Sequence, residues 1–206
     1  MAKLEQILRN DSRVTLLVNN AGVGALAPLL NSDAADMSRM ITLNVQALTR
    51  LTHARSTRIR KARFRHNHQH RFHVAIVPER SNAVYGGTKA FVLAFSRSLR
   101  HELANTGVTV QVVLPGATAT DFRKKSGKPV EPLPQEIVMS AEDMVDAALS
   151  GLDQGEFVTI PALPDVGQWQ TYEAARQTLL PNLSRARPAA RYAIVRAGGG
   201  AQNVAD

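Results

Sequence analysis

The sequence predicts an α/β fold with a parallel sheet, and three observations carry that prediction. Residues 14–18 (VTLLV) and 108–114 (VTVQVVL) are short apolar runs, the pattern of strands covered on both faces. Between and after them lie stretches of helical periodicity. Strand and helix alternate along the chain, the order that crossover connections between parallel strands require.

The elements follow in order. Residues 2–10 read as a helix with Leu4, Ile7 and Leu8 on one side. The strand at 14–18 runs straight into Asn19-Asn20-Ala21-Gly22. Ser32 is placed to cap a helix reaching Ala54, with Met37, Met40, Ile41, Leu48 and Leu51 as its apolar stripe. Asn44 falls on that stripe. An unpaired buried amide costs about 1–3 kcal/mol, so Asn44 must find partners, and its spacing leaves a structural and a functional role equally open. A second helix spans 82–105, and the strand at 108–114 ends at Pro115-Gly116. Ser140-Ala141-Glu142-Asp143 is a capping box opening a helix to about Leu152. A short strand at 157–160 and a helix at 164–180 carrying Trp169 and Tyr172 follow. Beyond Ser184 the chain is rich in Ala, Arg and Gly and is expected to be disordered, which gives one domain over 1–184 and a tail over 185–206. No internal repeat is present.

Composition narrows the function. A chain of 206 residues with 44% apolar residues can bury a sizeable core. No apolar run approaches the roughly 18–20 residues of a membrane span. The opening MAKLEQILRNDSR has charges where a signal peptide needs an apolar stretch. There is no cysteine, which excludes disulfides and thiol chemistry and fits a cytoplasmic protein. The net charge of +8 is local: seven of the 25 Lys and Arg lie in residues 55–73 (RSTRIRKARFRHNHQHRFH), leaving 18 against 17 acids elsewhere.

Tyr85 and Lys89 are the central chemical pair. Four apart on a helix, they share a face. A cation close to a phenol favours the phenolate and lowers a pKa that is normally near ~10, so Tyr-x-x-x-Lys can build a proton donor and acceptor. The motif alone is common. Its order is not: VNNAG after one strand, an Asn on the next helix, YGGTK, then a strand ending in LPGATATDF. In these motifs, over about residues 2–182, the chain resembles the short-chain dehydrogenase/reductase family.

The resemblance implies a Rossmann-like, doubly wound parallel sheet and hydride transfer between NAD or NADP and a small carbonyl or alcohol substrate. It implies that Asn19, Ala21 and Gly22 lie along the adenosine side of the dinucleotide. It assigns Asn44 to a proton-relay water, Tyr85 to general acid/base catalysis, and Lys89 to the nicotinamide ribose and to lowering the phenol's pKa. Pro115, Gly116, Thr118 and Thr120 match the loop that cradles the nicotinamide. Cofactor choice and substrate are not readable. A homo-oligomer through the helix bearing Tyr85 and Lys89 is expected, with no membrane partner.

Two departures stand out. The family's first strands and Gly-rich pyrophosphate turn have no counterpart: Gly22-Val23-Gly24 is not such a turn, and Gly198-Gly199-Gly200 has no strand before it. Met1 is therefore expected to be internal to a longer reading frame, with the 14–18 strand left as an apolar edge. The family's serine, which hydrogen-bonds the substrate oxygen, falls by its usual offset on Phe72. Three readings of residues 55–73 compete. His66, His68 and His70 alternate as metal ligands would, but without acid or Cys. The seven basic residues could contact nucleic acid, making the chain a non-catalytic remnant that binds an acidic partner. The favoured reading is a shifted frame: codons allowed for His66 to His73, read one base later, give T-I-I-N-I-A-S, an apolar strand ending in serine. On that reading the chain as written is expected to be poorly active or inactive.

Overall fold

The computed structural model describes residues 1–25, 27–56, 68–69, 75–80, 82–120 and 133–192. The chain forms two compact units, 1–163 and 164–206.

In the first unit the sheet is parallel, as the alternation of strand and helix predicts. β1 (His68–Gln69), β2 (Val112–Val113) and β5 (Val158–Thr159) pair in the order β1-β2-β5. His68 stands opposite Val112, and Val112 opposite Val158. A second parallel ladder joins β3 (Ala117–Thr118) to β4 (Val138–Met139). The central position of β2 explains its run of apolar residues: Val110, Val112, Val113 and Leu114 are all buried. The backbone of residues 68–69 takes a strand position beside β2, although the sequence around it is basic. The remaining residues of 57–74, and with them the shifted-frame reading, lie outside the described residues.

Residues 14–18 make only an isolated bridge at Val18 in place of the expected strand, and the run is covered on one face only. Leu17 is buried, whereas Leu16 and Val18 are exposed. Leu17 packs with Leu8 of α1 (Ala2–Asn10) and Ala54 of α3 (Leu48–Ser56). On α1 the buried arc is rotated away from the expected stripe: Leu8 is buried with Glu5, and Leu4 and Ile7 are exposed. On that face Arg50 Nε of α3 donates to Glu5 Oε1 at 2.6 Å.

The helix of residues 34–56 starts one residue later than Ser32 suggests. Asp33 is the cap, its carboxylate accepting from the Ala35 and Asp36 amides, while the Ser32 hydroxyl donates to the Ala27 and Pro28 carbonyls. α2 (Ala34–Ile41) passes through a π-helical turn (Thr42–Ala47) into α3. The i→i+5 pairing adds a residue to that turn and shifts the helix face. Met40, Asn44, Ala47 and Leu48 are buried, whereas Ile41 of the predicted stripe is exposed.

α4 (Ala83–Glu102) and α5 (Ala141–Asp153) match their predicted spans to within a few residues. Ser140 caps α5 by accepting the Asp143 amide at 2.9 Å. α5 packs on the sheet through Met144 and Ala148 against Val113. Below it, Gln111 is fully buried within the β2 run. Its Nε2 donates to the Ala148 carbonyl at 2.9 Å and to Thr159 Oγ1 at 2.8 Å, and that hydroxyl donates to Glu156 at 2.7 Å. Gly155, with φ 76°, makes the turn between α5 and β5.

The second unit holds α6 (Val166–Thr178), capped by Asp165 through the Gly167 amide at 2.8 Å. Trp169 and Tyr172 stack on it, ring centroids 5.2 Å apart. None of its residues is buried. Of the expected tail, Ala190–Tyr192 forms a single 3₁₀ turn, and residues 193–206 lie outside the described residues.

Two outcomes are expected. A Cβ on Gly151 would collide with Thr159 Oγ1 and lie 2.6 Å from Glu156 Oε2, where α5 meets β5. Gly151→Ala should therefore destabilise the fold by about 1–3 kcal/mol in urea unfolding. The Glu5 carboxyl is held below its usual value of 4.5 first by the Arg50 hydrogen bond, against the opposing effect of burial. Its contribution to stability is present above that usual value and lost as pH falls through the lower folded one. Glu5→Gln should flatten the acid limb of the melting temperature measured against pH.

Candidate active site

The site is built from the start of α4. Asn82 caps it: Oδ1 accepts from the Val84 amide at 2.9 Å and from the Tyr85 amide at 3.3 Å. Its Nδ2 donates to the Ala27 carbonyl and to the Ser32 hydroxyl, tying the helix to residues 27–32. Tyr85 thereby falls in the first turn, 5% exposed, packed on Met40 with Ala25 and Val84 alongside. Lys89 is 7% exposed, and its ammonium lies over the Tyr85 ring, 5.3 Å from the centroid.

Asn44 reaches this cluster from the π-helical turn. Its Nδ2 donates to the Val23 carbonyl at 2.8 Å and to Thr88 Oγ1 at 3.1 Å, and its Oδ1 accepts from the Val23 amide at 3.0 Å. Thr88 in turn donates to the Tyr85 carbonyl at 2.8 Å. Gly22 completes the arrangement. A Cβ there would stand 3.2 Å from Asn44 Oδ1 and 3.6 Å from Lys89 Nζ. The turn at 19–22, the helix Asn and the YGGTK helix are thus brought into one place. In the same turn Asn19 is buried and donates to Thr52 Oγ1 at 3.3 Å, whereas Ala21 is exposed.

The loop at 115–120 leaves the carboxyl end of β2, where open α/β sheets bind ligands. Pro115 is fully buried, and Thr118 Oγ1 donates to the Gly116 carbonyl at 3.3 Å. The Ala119 amide donates to the Met139 carbonyl at 2.9 Å and fastens the loop to β4. Gly116 and Thr120 are half-buried. Among the described residues, nothing lies within 4 Å of where a Gly116 Cβ would stand.

The Tyr85 titration runs opposite to the sequence expectation. Burial pushes the phenol well above its usual 10.0. Removing a phenolate from water outweighs the favourable charge of one ammonium over the ring face. At neutral pH Tyr85 therefore carries its proton.

A family model described as short chain dehydrogenase matches residues 1–131. The chain belongs to the short-chain dehydrogenase family. A short-chain dehydrogenase from Sphingobium yanoikuyae, solved with NADPH, superposes with a TM-score of 0.87 at 40% identity, over 93% of this chain and 74% of that one. A bulky-bulky ketone specific alcohol dehydrogenase from Comamonas testosteroni does so with a TM-score of 0.82 at 37% identity, over 93% and 72%. An NADPH-dependent 1-acyldihydroxyacetone phosphate reductase of Schizosaccharomyces pombe is 32% identical over 60% of this chain and 42% of its own length. The chain thus spans less than half of that curated relative.

The nucleic-acid reading of residues 55–73 gains no support. Arg55 is wholly buried, its guanidinium donating to the Val14 carbonyl at 2.6 Å, so it is not available to a phosphate backbone. His66, His70 and Phe72 lie outside the described residues, among which no group of three or more His, Cys, Asp or Glu could hold a metal ion. No helix among them is long and apolar enough to cross a membrane.

Sequence reasoning missed Asn82 and Thr88. Asn82 has a readable signal, a side-chain acceptor just before a helix. Thr88 has none, because its partner is 44 residues away.

The unfolded chain ionises Tyr85 near pH ~10, whereas the folded chain keeps it neutral. The stability contributed by the buried phenol is present below that pH and lost as pH rises above it toward the folded value. Urea melts should show the parent losing up to about 1.4 kcal/mol per pH unit relative to Tyr85→Phe in that range.

Proposed function

We propose that this chain carries the proton-transfer centre of an NAD(P)-dependent oxidoreductase that interconverts a small carbonyl compound and its alcohol. The observation that carries the reading is the convergence of Tyr85, Lys89, Asn44 and Gly22 from three separate segments.

The residues present fit the nicotinamide end of a dinucleotide. Gly22, lacking a Cβ, keeps the Lys89 ammonium and Asn44 close to the turn, and among the described residues the space beside Gly116 is open. Lys89 would hold the nicotinamide ribose, Pro115, Gly116, Thr118 and Thr120 the nicotinamide, and Asn19, Ala21 and Gly22 the adenosine side. When bound, the nicotinamide exchanges a hydride with the carbonyl carbon. Tyr85 gives its Oη proton to the carbonyl oxygen as the alcohol forms and takes it back in the reverse direction. The Lys89 ammonium stabilises the phenolate left behind. The neutral phenol is the form that donates when the carbonyl is reduced. The relatives from Sphingobium and Schizosaccharomyces carry NADPH in their names, and the Comamonas enzyme is named for bulky ketones. NADPH with a ketone bearing two bulky groups is therefore the first pair to test. A homo-oligomer through α4 accords with the exposed Phe91, stacked on Phe95 at 5.6 Å.

Turnover is expected to be slow, because the family's serine falls by its usual sequence offset on Phe72. NADPH oxidation in the presence of such a ketone should fall at least about 10²-fold in Tyr85→Phe. An equal rate in parent and variant would defeat the reading.

A further inference from the structure

Between Tyr85 and Lys89 sits a buried hydroxyl with two partners. Thr88 is 3% exposed. Its Oγ1 accepts from Asn44 Nδ2 at 3.1 Å and donates to the Tyr85 carbonyl at 2.8 Å. The second bond alone would mean little, since a helical threonine commonly bonds a carbonyl three or four residues back. The first makes the difference. One oxygen joins the π-helical turn to the first turn of α4, across 44 residues of sequence.

We infer that Thr88 is a positioning residue: its hydroxyl locks the main chain of Tyr85 to Asn44 and so sets the Tyr85 phenol and the Lys89 amine against the turn at residues 21–24. This rests on the reading of Tyr85 as the proton donor. The Tyr85 main chain is held at both ends, its amide by Asn82 and its carbonyl by Thr88. Asn82 in turn reaches residues 27–32 and Thr88 reaches Asn44, which fixes Val23 through both its amide and its carbonyl. A donor and an acceptor in series polarise each other, so one hydroxyl strengthens both bonds. Valine keeps the β-branched shape of threonine and removes both bonds. Serine keeps the hydroxyl and removes only the methyl.

The test compares Thr88→Val, Thr88→Ser and the parent in two readouts. Steady-state kinetics with NADPH and a bulky ketone should show kcat down about 10²-fold in Thr88→Val, with KM little changed, and near-parental values in Thr88→Ser. Alkaline ultraviolet difference spectra, with Tyr85→Phe subtracted to isolate Tyr85, should show its ionisation moving down toward the ordinary tyrosine range in Thr88→Val. In Thr88→Ser it should stay raised. Circular dichroism confirms folding, and Thr88→Ala replaces Thr88→Val if the valine variant does not fold. A serine variant that behaves like the valine variant overturns the inference, because the methyl and not the hydroxyl would then matter. A valine variant that titrates like the parent overturns it as well. Absence of reduction by the parent defeats the proposed function, and the titration still decides the role of Thr88.

Discussion

The side-chain amide of Asn44 is the joint on which the site depends. A buried amide must be satisfied, and this one spends both N–H groups and an oxygen lone pair on Val23 and Thr88. Those bonds fix the turn at residues 19–24 to the helix of residues 34–56 and that helix to α4. Gly22 sits against both, where a Cβ would crowd Asn44 Oδ1 at 3.2 Å and touch Lys89 Nζ at 3.6 Å. Asn44 lies in the π-helical turn, and such turns recur at functional sites.

The burial that the joint enforces decides the state of Tyr85. Packed on Met40 with Ala25 and Val84 alongside, the phenol keeps its proton. Lys89 beside it is oriented toward the ring face and does not reverse the effect of burial. The neutral phenol holds the proton that carbonyl reduction would need, although the same burial makes it a weaker acid than free tyrosine. Buried polar networks of this sort are rigid when every member is satisfied and costly when one is removed. That ties chemistry and stability to the same few side chains.

The far side of the sheet solves a different problem. Gln111 interrupts the β2 run with a polar side chain, and its bonds to Ala148 and Thr159 knit α5 and β5 to the central strand. Gly151 lets helix and strand approach there. Through that contact β2 is held in place, and the 115–120 loop leaves its carboxyl end against β4.

The sequence by itself determined the parallel sheet, the spans of α1, α4 and α5 and the strand at β5, because hydrophobic period and capping are local properties. It also carried the family, through VNNAG, Asn44, YGGTK and LPGATATDF in order. Tertiary structure decided the rest. Leu4, Ile7 and Ile41 are apolar but exposed, so even spacing alone did not give the buried arc of either helix. Arg55 reads as part of a basic arm and is buried on the Val14 carbonyl. The direction of the Tyr85 shift and the link from Asn44 through Thr88 were not legible. Both arise from contacts between residues more than 40 positions apart, and local spacing holds no information about which distant side chain will remove water or complete a hydrogen bond.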